Sequence, residues 1–244
     1  MPLPVAFPPG ASLPDELFVI PASPPQTIIT AEMLTMASGV ATLEGRVRAV
    51  REAVVSEPPA PASGVIPVPG KSHEVRQSDL LTAGRARLGQ NPDWMLASLT
   101  PRLFRKETIM EKQLVRESTL DAATIWWNST TGELDASDSV VVKIEERTWD
   151  LGTYSWVIIS ADAMLGHRDR HTLTFHGNVR MKDKTRFGQG DHLDYYKASS
   201  TVVLTGNAHV EGEEWSEKNK RMEKRTIDGQ RIEYHLDTKA MQSE

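Results

Sequence analysis

The sequence contains no cysteine and no apolar run of the length that spans a membrane as a helix. Without cysteine, neither disulfide bonds nor thiolate chemistry can contribute to folding or function. A membrane-spanning helix needs roughly 20 consecutive apolar residues. The charge is also low, because 33 acidic residues outweigh 28 basic ones by only five. The basic residues are not concentrated as phosphate neutralisation requires, so we expect no nucleic acid partner.

Proline is concentrated in two segments that are predicted to lack regular structure. Residues 1–26 combine many prolines with few charges, which predicts an extended arm. Residues 56–70, SEPPAPASGVIPVPG, have the same composition, and proline removes backbone donors. We interpret them as a surface insertion. Residues 1–18 lack the charged start and apolar block of a signal peptide, so export would require a leader that this sequence does not contain.

The remaining chain changes character near Ser118. Within residues 78–117, SDLLTAGRARLG has an N-cap candidate at Ser78 and spacing compatible with a helix, and residues 111–117 suit either a helix or a polar strand. From Ser118 onward, short β-branched and aromatic stretches alternate with Gly, Asn and Asp, which is typical of strands joined by tight turns. The predicted fold class is all-β.

One short unit occurs three times. It reads VATLEGRVRA at 40–49, TLTFHGNVRM at 172–181 and VVLTGNAHVE at 202–211. Alternate residues of a strand share a face, so each copy has one apolar and one mostly polar face. Glycine within a strand costs roughly 0.5–1 kcal/mol relative to alanine, so its recurrence at one position indicates a bend. Repeated bends would curve the sheet into a V and leave a groove along its long axis.

A second unit carries an acidic residue beside the glycine strands, as in GDHLDYY at 190–196 and GQRIEYH at 229–235. Acidic and glycine strands therefore alternate along the chain. One such pair cannot bury its apolar face alone and must stack on its neighbour. The pattern predicts an elongated two-sheet body with a continuous apolar interior.

In their order and spacing, these units resemble the OstA-like family, which includes the lipopolysaccharide transport proteins A and C and the N-terminal domain of transport protein D. The matching stretches are SADAM at 160–164, TLTFHGNV at 172–179, GDHLDY at 190–195, VVLTGNA at 202–208 and GQRIEY at 229–234. Residues 157–240 follow the family pattern, and residues 28–49 form a partial further copy with Arg46 in place of the usual Asn. Residues 50–117 are predicted to depart from it.

The resemblance implies a β-jellyroll of stacked antiparallel strands, a twisted V-shaped two-sheet body in the periplasm. Such a protein is not an enzyme and needs no cofactor or metal. It holds the acyl chains of lipopolysaccharide between its sheets and joins end to end with other jellyrolls, including copies of itself. The residues predicted to line this lipid groove are Leu43, Val47, Ile159, Leu173, Phe175, Val179, Leu193, Tyr195, Leu204, Val210, Ile232 and Tyr234. Because no glycine strand follows Tyr234, the end of the chain is predicted to leave an open sheet edge.

Two other interpretations remain open from the sequence. One is a structural or adaptor scaffold with a filled core, and the other is a carbohydrate-active parallel β-helix. His167 and His171 would share a face only on a helix, so a metal site is not expected there. The acidic residues Asp162, Asp191, Asp194 and Glu233 recur with the repeat, which favours a structural role over catalysis. The charge-rich residues 213–225 are predicted to form a solvated hairpin loop.

Overall fold

A computed structural model describes residues 27–57, 73–89, 94–128, 131–149, 152–167, 172–196, 199, 201–216, 220–235 and 241–243. The predicted arm at 1–26 lies outside these residues, as does most of the predicted insertion. The first two residues of the predicted insertion, Ser56 and Glu57, belong to a strand. The structure contains no helix, within these ranges, that is long and apolar enough to cross a membrane.

The described residues form fifteen strands and one short 3₁₀ turn, so the predicted all-β class is confirmed. The strands are β1 (Thr27–Thr30), β2 (Met33–Ala37), β3 (Val40–Glu57), β4 (His73–Gly89), β5 (Trp94–Ser98), β6 (Arg102–Ile109), β7 (Leu114–Asp121), β8 (Thr124–Asn128), β9 (Glu133–Thr148), β10 (Tyr154–His167), β11 (Thr172–Asp183), β12 (Arg186–Tyr196), β13 (Thr201–Ser216), β14 (Arg221–His235) and β15 (Met241–Ser243). The 3₁₀ turn covers Met110–Lys112. All recorded strand pairings are antiparallel, so the parallel β-helix interpretation is wrong.

The sheet is a meander of bent strands. β5 pairs with the C-terminal half of β4, and β6 pairs with its N-terminal half. β7 and β8 pair in the same manner with the two halves of β9, as β1 and β2 do with β3. The pairs β1–β2, β5–β6 and β7–β8 are therefore each the two halves of one bent strand.

The bend follows one line across the sheet. On every second strand, the two consecutive residues at this line have positive φ. The neighbouring strand has one residue fewer there, so the pairing register shifts. Glycine and asparagine tolerate positive φ better than other residues, which explains Gly-Asn in β11 and β13. The five pairs are Gly45 and Arg46, Leu99 and Thr100, Asp138 and Ser139, Gly177 and Asn178, and Gly206 and Asn207.

The bend divides the sheet into two walls, which we call wall A and wall B. Wall A comprises β2, β5, β8 and β15 with residues 40–44, 85–89, 133–137, 163–167, 172–176, 192–196, 201–205 and 231–235. Wall B comprises β1, β6 and β7 with residues 47–57, 73–83, 140–148, 154–161, 179–183, 186–190, 208–216 and 221–229. One apolar cluster lies between them. This is the predicted V-shaped two-sheet body.

The described part of residues 78–117 is mostly strand, so the helix alternative is wrong there. Ser78 lies within β4, where it pairs with Glu52 on one side and Lys106 on the other. Val75, Leu81 and Ala83 are buried on one face, as period-two alternation requires. Strand partners on both edges of β4 satisfy its backbone groups and override the helix-compatible composition.

The predicted hairpin loop at 213–225 is also mostly strand. β13 continues to Ser216 and β14 begins at Arg221, with unbroken register between them. The charges are tolerated because the side chains reach solvent, and Lys224 forms an ion pair with Glu211 at 2.6 Å. A charge-rich composition therefore marked an exposed strand pair rather than a loop.

Candidate functional site

The recurring acidic residues serve the bends of the sheet. Asn178 donates from Nδ2 to Asp162 at 2.8 Å, and Asn207 donates to Asp191 at 3.0 Å. The two other predicted carboxylates are also engaged: Asp194 accepts from Thr174 at 2.8 Å, and Glu233 accepts from Arg231 at 2.7 Å. Asp194 also lies 3.0 Å from Nε2 of His192, and Glu233 lies 3.4 Å from Nε2 of His235. The contacts of Asp162 and Asp191 with the asparagines suit a structural role at the bends.

A cavity of about 280 Å³ lies between the two walls. Its inner surface is mainly apolar on both sides. Its lining comes from β1, from β3 to β12 and from the turns between them, and β13 and β14 contribute none of the lining residues. Wall A contributes Met95, Ile125, Trp127, Leu134, Met164 and Leu173, and wall B contributes Ala49, Leu81, Leu103, Leu120, Val142 and Ile144.

Side-chain size varies along one row of wall A beside the bend. Residues of this row pair directly on neighbouring strands. In β4, β5 and β9 the row holds alanines, and in β8 and β10 it holds Ile125 and Met164, which line the cavity. In β11 to β14 it holds large side chains that do not line the cavity. The alanines are Ala86, Ala97 and Ala136, and the large residues are Phe175, Leu193, Leu204 and Ile232.

Charged side chains line wall B farther from the bend. In one cross-strand row, Arg105 donates two hydrogen bonds to Asp79, at 2.8 and 3.3 Å. Arg51 lies in the same row and stacks over the Trp127 ring of wall A at 5.6 Å from its centroid. Gln77 donates to Asp79 at 2.8 Å. The cavity therefore has an apolar base beside the bend and a charged rim away from it.

Arg116 forms the most buried part of this rim. Its side chain is 11% exposed and donates to Glu146 at 2.6 Å and to Glu107 at 3.3 Å. Burial by itself lowers the pKa of Arg116. The electrostatic attraction of Tyr195, Glu146 and Glu107 outweighs burial and raises the pKa above its usual value. Because Tyr195 belongs to wall A, this interaction also crosses the cavity.

Two of the twelve predicted groove residues, Leu173 and Tyr195, line the cavity. The other ten belong to the same apolar core but do not line the cavity. They are Leu43, Val47, Ile159, Phe175, Val179, Leu193, Leu204, Val210, Ile232 and Tyr234. Their contact with a lipid stays a prediction. His167 lies at the cavity, and His171 falls outside the described residues.

Sequence reasoning missed the wall B residues of the cavity. They lie mostly in β4, β6 and β7, within the segment that also suited a helix. A usable signal was present, because Val75, Gln77, Asp79, Leu81 and Ala83 share one face of β4 at a period of two, and its three apolar members are buried. Polar members of that face obscured the pattern, and these are the residues of the charged rim.

A family model described as LptA/(LptD N-terminal domain) LPS transport protein matches residues 75–240, more than half of the chain. No curated protein matches the chain. The matched range begins inside β4 and includes the cavity-lining parts of β4 to β12. The expectation that residues 50–117 depart from the family pattern is therefore wrong from residue 75 onward.

Proposed function

Because the chain belongs to the LptA and LptD N-terminal domain family of lipopolysaccharide transport proteins, we propose that it carries lipopolysaccharide through the periplasm without catalysis. The acyl chains lie in the cavity between walls A and B. The observation that carries this proposal is the amphipathic cavity, whose apolar base lies beside the bend and whose charged rim faces outward. An acylated lipid has the same polarity, with apolar chains attached to a polar headgroup.

The apolar base can supply substantial binding free energy. Each methylene removed from water contributes about 0.8 kcal/mol, so a twelve-carbon chain offers on the order of 9 kcal/mol before ordering costs. The cavity of about 280 Å³ is near the small end of ligand pockets, which begin at roughly 300 Å³. One acyl chain therefore suits this state, and a lipid with several chains requires the walls to separate.

The charged rim suits the polar headgroup. Arg51 and Arg105 offer hydrogen-bond donors, and Asp79 and Glu107 offer acceptors, all on the cavity lining. The sugar hydroxyls and phosphates of lipopolysaccharide use both kinds of partner. Arginines and carboxylates alternate along the cross-strand rows of wall B. Recognition of the headgroup therefore relies on hydrogen bonds in fixed positions rather than on net charge.

Native mass spectrometry after incubation with lipopolysaccharide, and separately with its deacylated headgroup, tests the proposal. We expect retention of the acylated form alone. Leu173→Arg places a charge in the cavity and should abolish retention, whereas Val141→Arg is a matched control at a position of β9 that is 37% exposed and away from the sheet edges. Circular dichroism verifies that both variants fold. Retention of neither ligand by the unmodified protein would favour the filled-scaffold interpretation.

End-to-end assembly with other jellyrolls, or with copies of itself, belongs to the same proposal. At one end of the sheet, β1 and β2 pair only with β3 among the described strands. At the other end, β15 covers just three residues of β14, so the open edge predicted from the sequence is covered in part. Exposed strand edges accept further strands through main-chain hydrogen bonds.

A further inference from the structure

The two walls are joined directly at the C-terminal side of the cavity. Tyr234 of wall A donates its phenol hydrogen to Asp183 of wall B at 3.2 Å. The guanidinium of Arg186, also in wall B, lies 4.3 Å from the centroid of the Tyr234 ring. Asp183 is held in place by the backbone amides of Thr185 and Arg186, at 2.8 and 2.7 Å. We call these three side chains, Tyr234, Asp183 and Arg186, the cross-wall contact.

The cross-wall contact is well protected from solvent. Tyr234 is 1% exposed and Asp183 is 7% exposed. Burial, and next the charge of Asp183, raise the pKa of Tyr234 to about 12, so the phenol keeps its hydrogen at neutral pH. A hydrogen bond from a neutral donor to a buried carboxylate is among the stronger kinds in proteins.

The walls pack closely beside this contact. Met181 and Leu193 are fully buried, as are Leu204 and Ile232 of β13 and β14. A methyl group added at Gly188 of wall B would meet Leu204 of wall A at 2.9 Å, which shows how closely the walls approach. The cavity lining ends at Leu173 of β11 and Tyr195 of β12, and β13 and β14 contribute none of the lining residues.

We infer that the cross-wall contact of Tyr234, Asp183 and Arg186 closes the groove on this side and sets where a bound acyl chain ends. This inference rests on the proposed function, since it concerns the same ligand. A chain that enters between wall A and wall B meets the packed residues of β11 to β14 and stops beside Tyr195. Passage toward β14 requires Tyr234 and Asp183 to separate.

Paramagnetic broadening of methyl NMR signals shows how far a bound acyl chain reaches along the groove, and it requires no substitution in the core. Doxyl stearate, whose spin label is on its acyl chain, serves as the probe, and unlabelled lipopolysaccharide serves as the competitor. In the unmodified protein we expect loss of the methyl signals of Leu103, Leu120 and Leu134. The signals of Leu204 and Ile232 should persist, and competitor should restore those that were lost.

Tyr234→Phe keeps the aromatic ring but removes the hydroxyl group that donates a hydrogen bond to Asp183. The loss of methyl signals should therefore spread to Leu204 and Ile232. Tyr154→Phe is the matched control, because its phenol bonds Glu145 at an exposed site away from the cavity. Equal loss at all five residues in the unmodified protein would overturn the inference but leave the proposed function intact. An unchanged pattern in Tyr234→Phe would also overturn it. No loss at any residue would contradict the proposed function itself.

Discussion

Arg116 shows how one buried charge can be kept on the wall of an apolar cavity. Its guanidinium lies between Glu107 and Glu146, and the three residues are directly opposite one another on β6, β7 and β9. Glu107 is almost completely buried, so loss of Arg116 removes a charged partner from a buried carboxylate. Arg102 offers a contrast on the same strand pair, because its ion pair with Asp121 at 2.6 Å is largely exposed.

At the residue scale, we predict that Arg116→Met destabilises the protein far more than Arg102→Met. Breaking a buried ion pair typically costs about 3–5 kcal/mol, because one charge stays buried and unpaired. An exposed pair is worth about 1 kcal/mol or less. Urea denaturation of both variants gives the two changes in the free energy of unfolding. Equal changes in the free energy of unfolding would show that water screens the charges of Arg116, Glu107 and Glu146.

The bends are the feature that turns individual strands into a two-walled body. At Gly177 and Gly206 the backbone has φ of 74° and 72°, and an added Cβ would overlap the carboxylates of Asp162 and Asp191. These carboxylates also accept from the adjacent asparagines. Glycine is therefore required for two reasons at the bend, its positive φ and the close approach of an acidic side chain.

At the element scale, we predict that Gly177→Ala costs more stability than Gly39→Ala. Both glycines have φ near 75°, and an L-residue there costs roughly 1–2 kcal/mol. At Gly39 a Cβ meets nothing within 4 Å, so only that backbone cost applies. At Gly177 it also displaces Asp162 and breaks the hydrogen bond to Asn178. Thermal unfolding of both variants measures the difference, and similar melting temperatures would refute the role of the Asp162 contact.

Within the described part of the chain, exposed apolar side chains cluster at one end of the sheet. Ile28, Met33, Leu34 and Met36 are all more than half exposed on β1 and β2. These are edge strands in the described structure, where unpaired backbone groups add to the exposed apolar side chains. The feature agrees with the proposed end-to-end assembly.

At the scale of the whole molecule, we predict that light scattering detects association that increases with protein concentration. Lysine on edge strands opposes strand addition, so the double variant Leu34→Lys, Met36→Lys should shift the protein toward monomer. Val141→Lys is the control, because Val141 lies within β9, which has neighbours on both sides. A strict monomer of the unmodified protein at high concentration would contradict assembly through these edges.

The sequence alone determined the features that depend on neighbouring residues. The glycine that recurs within the strands indicated the bends, because positive φ is a local demand that glycine meets without strain. Alternation of apolar residues predicted which faces of β11 to β14 are buried, and Phe175, Leu193, Leu204 and Ile232 are indeed in the core. The order of these units was sufficient to suggest the family, which the match to residues 75–240 confirms.

Only the tertiary structure decided where space remains inside that core. A cavity is the volume left between walls A and B, so it depends on side chains far apart in sequence, such as Leu81, Leu103 and Leu173. Periodicity shows that a residue faces inward but not what lies opposite. For the same reason, the sequence could not distinguish Leu173 at the cavity from Phe175, two residues away, in the filled part of the core.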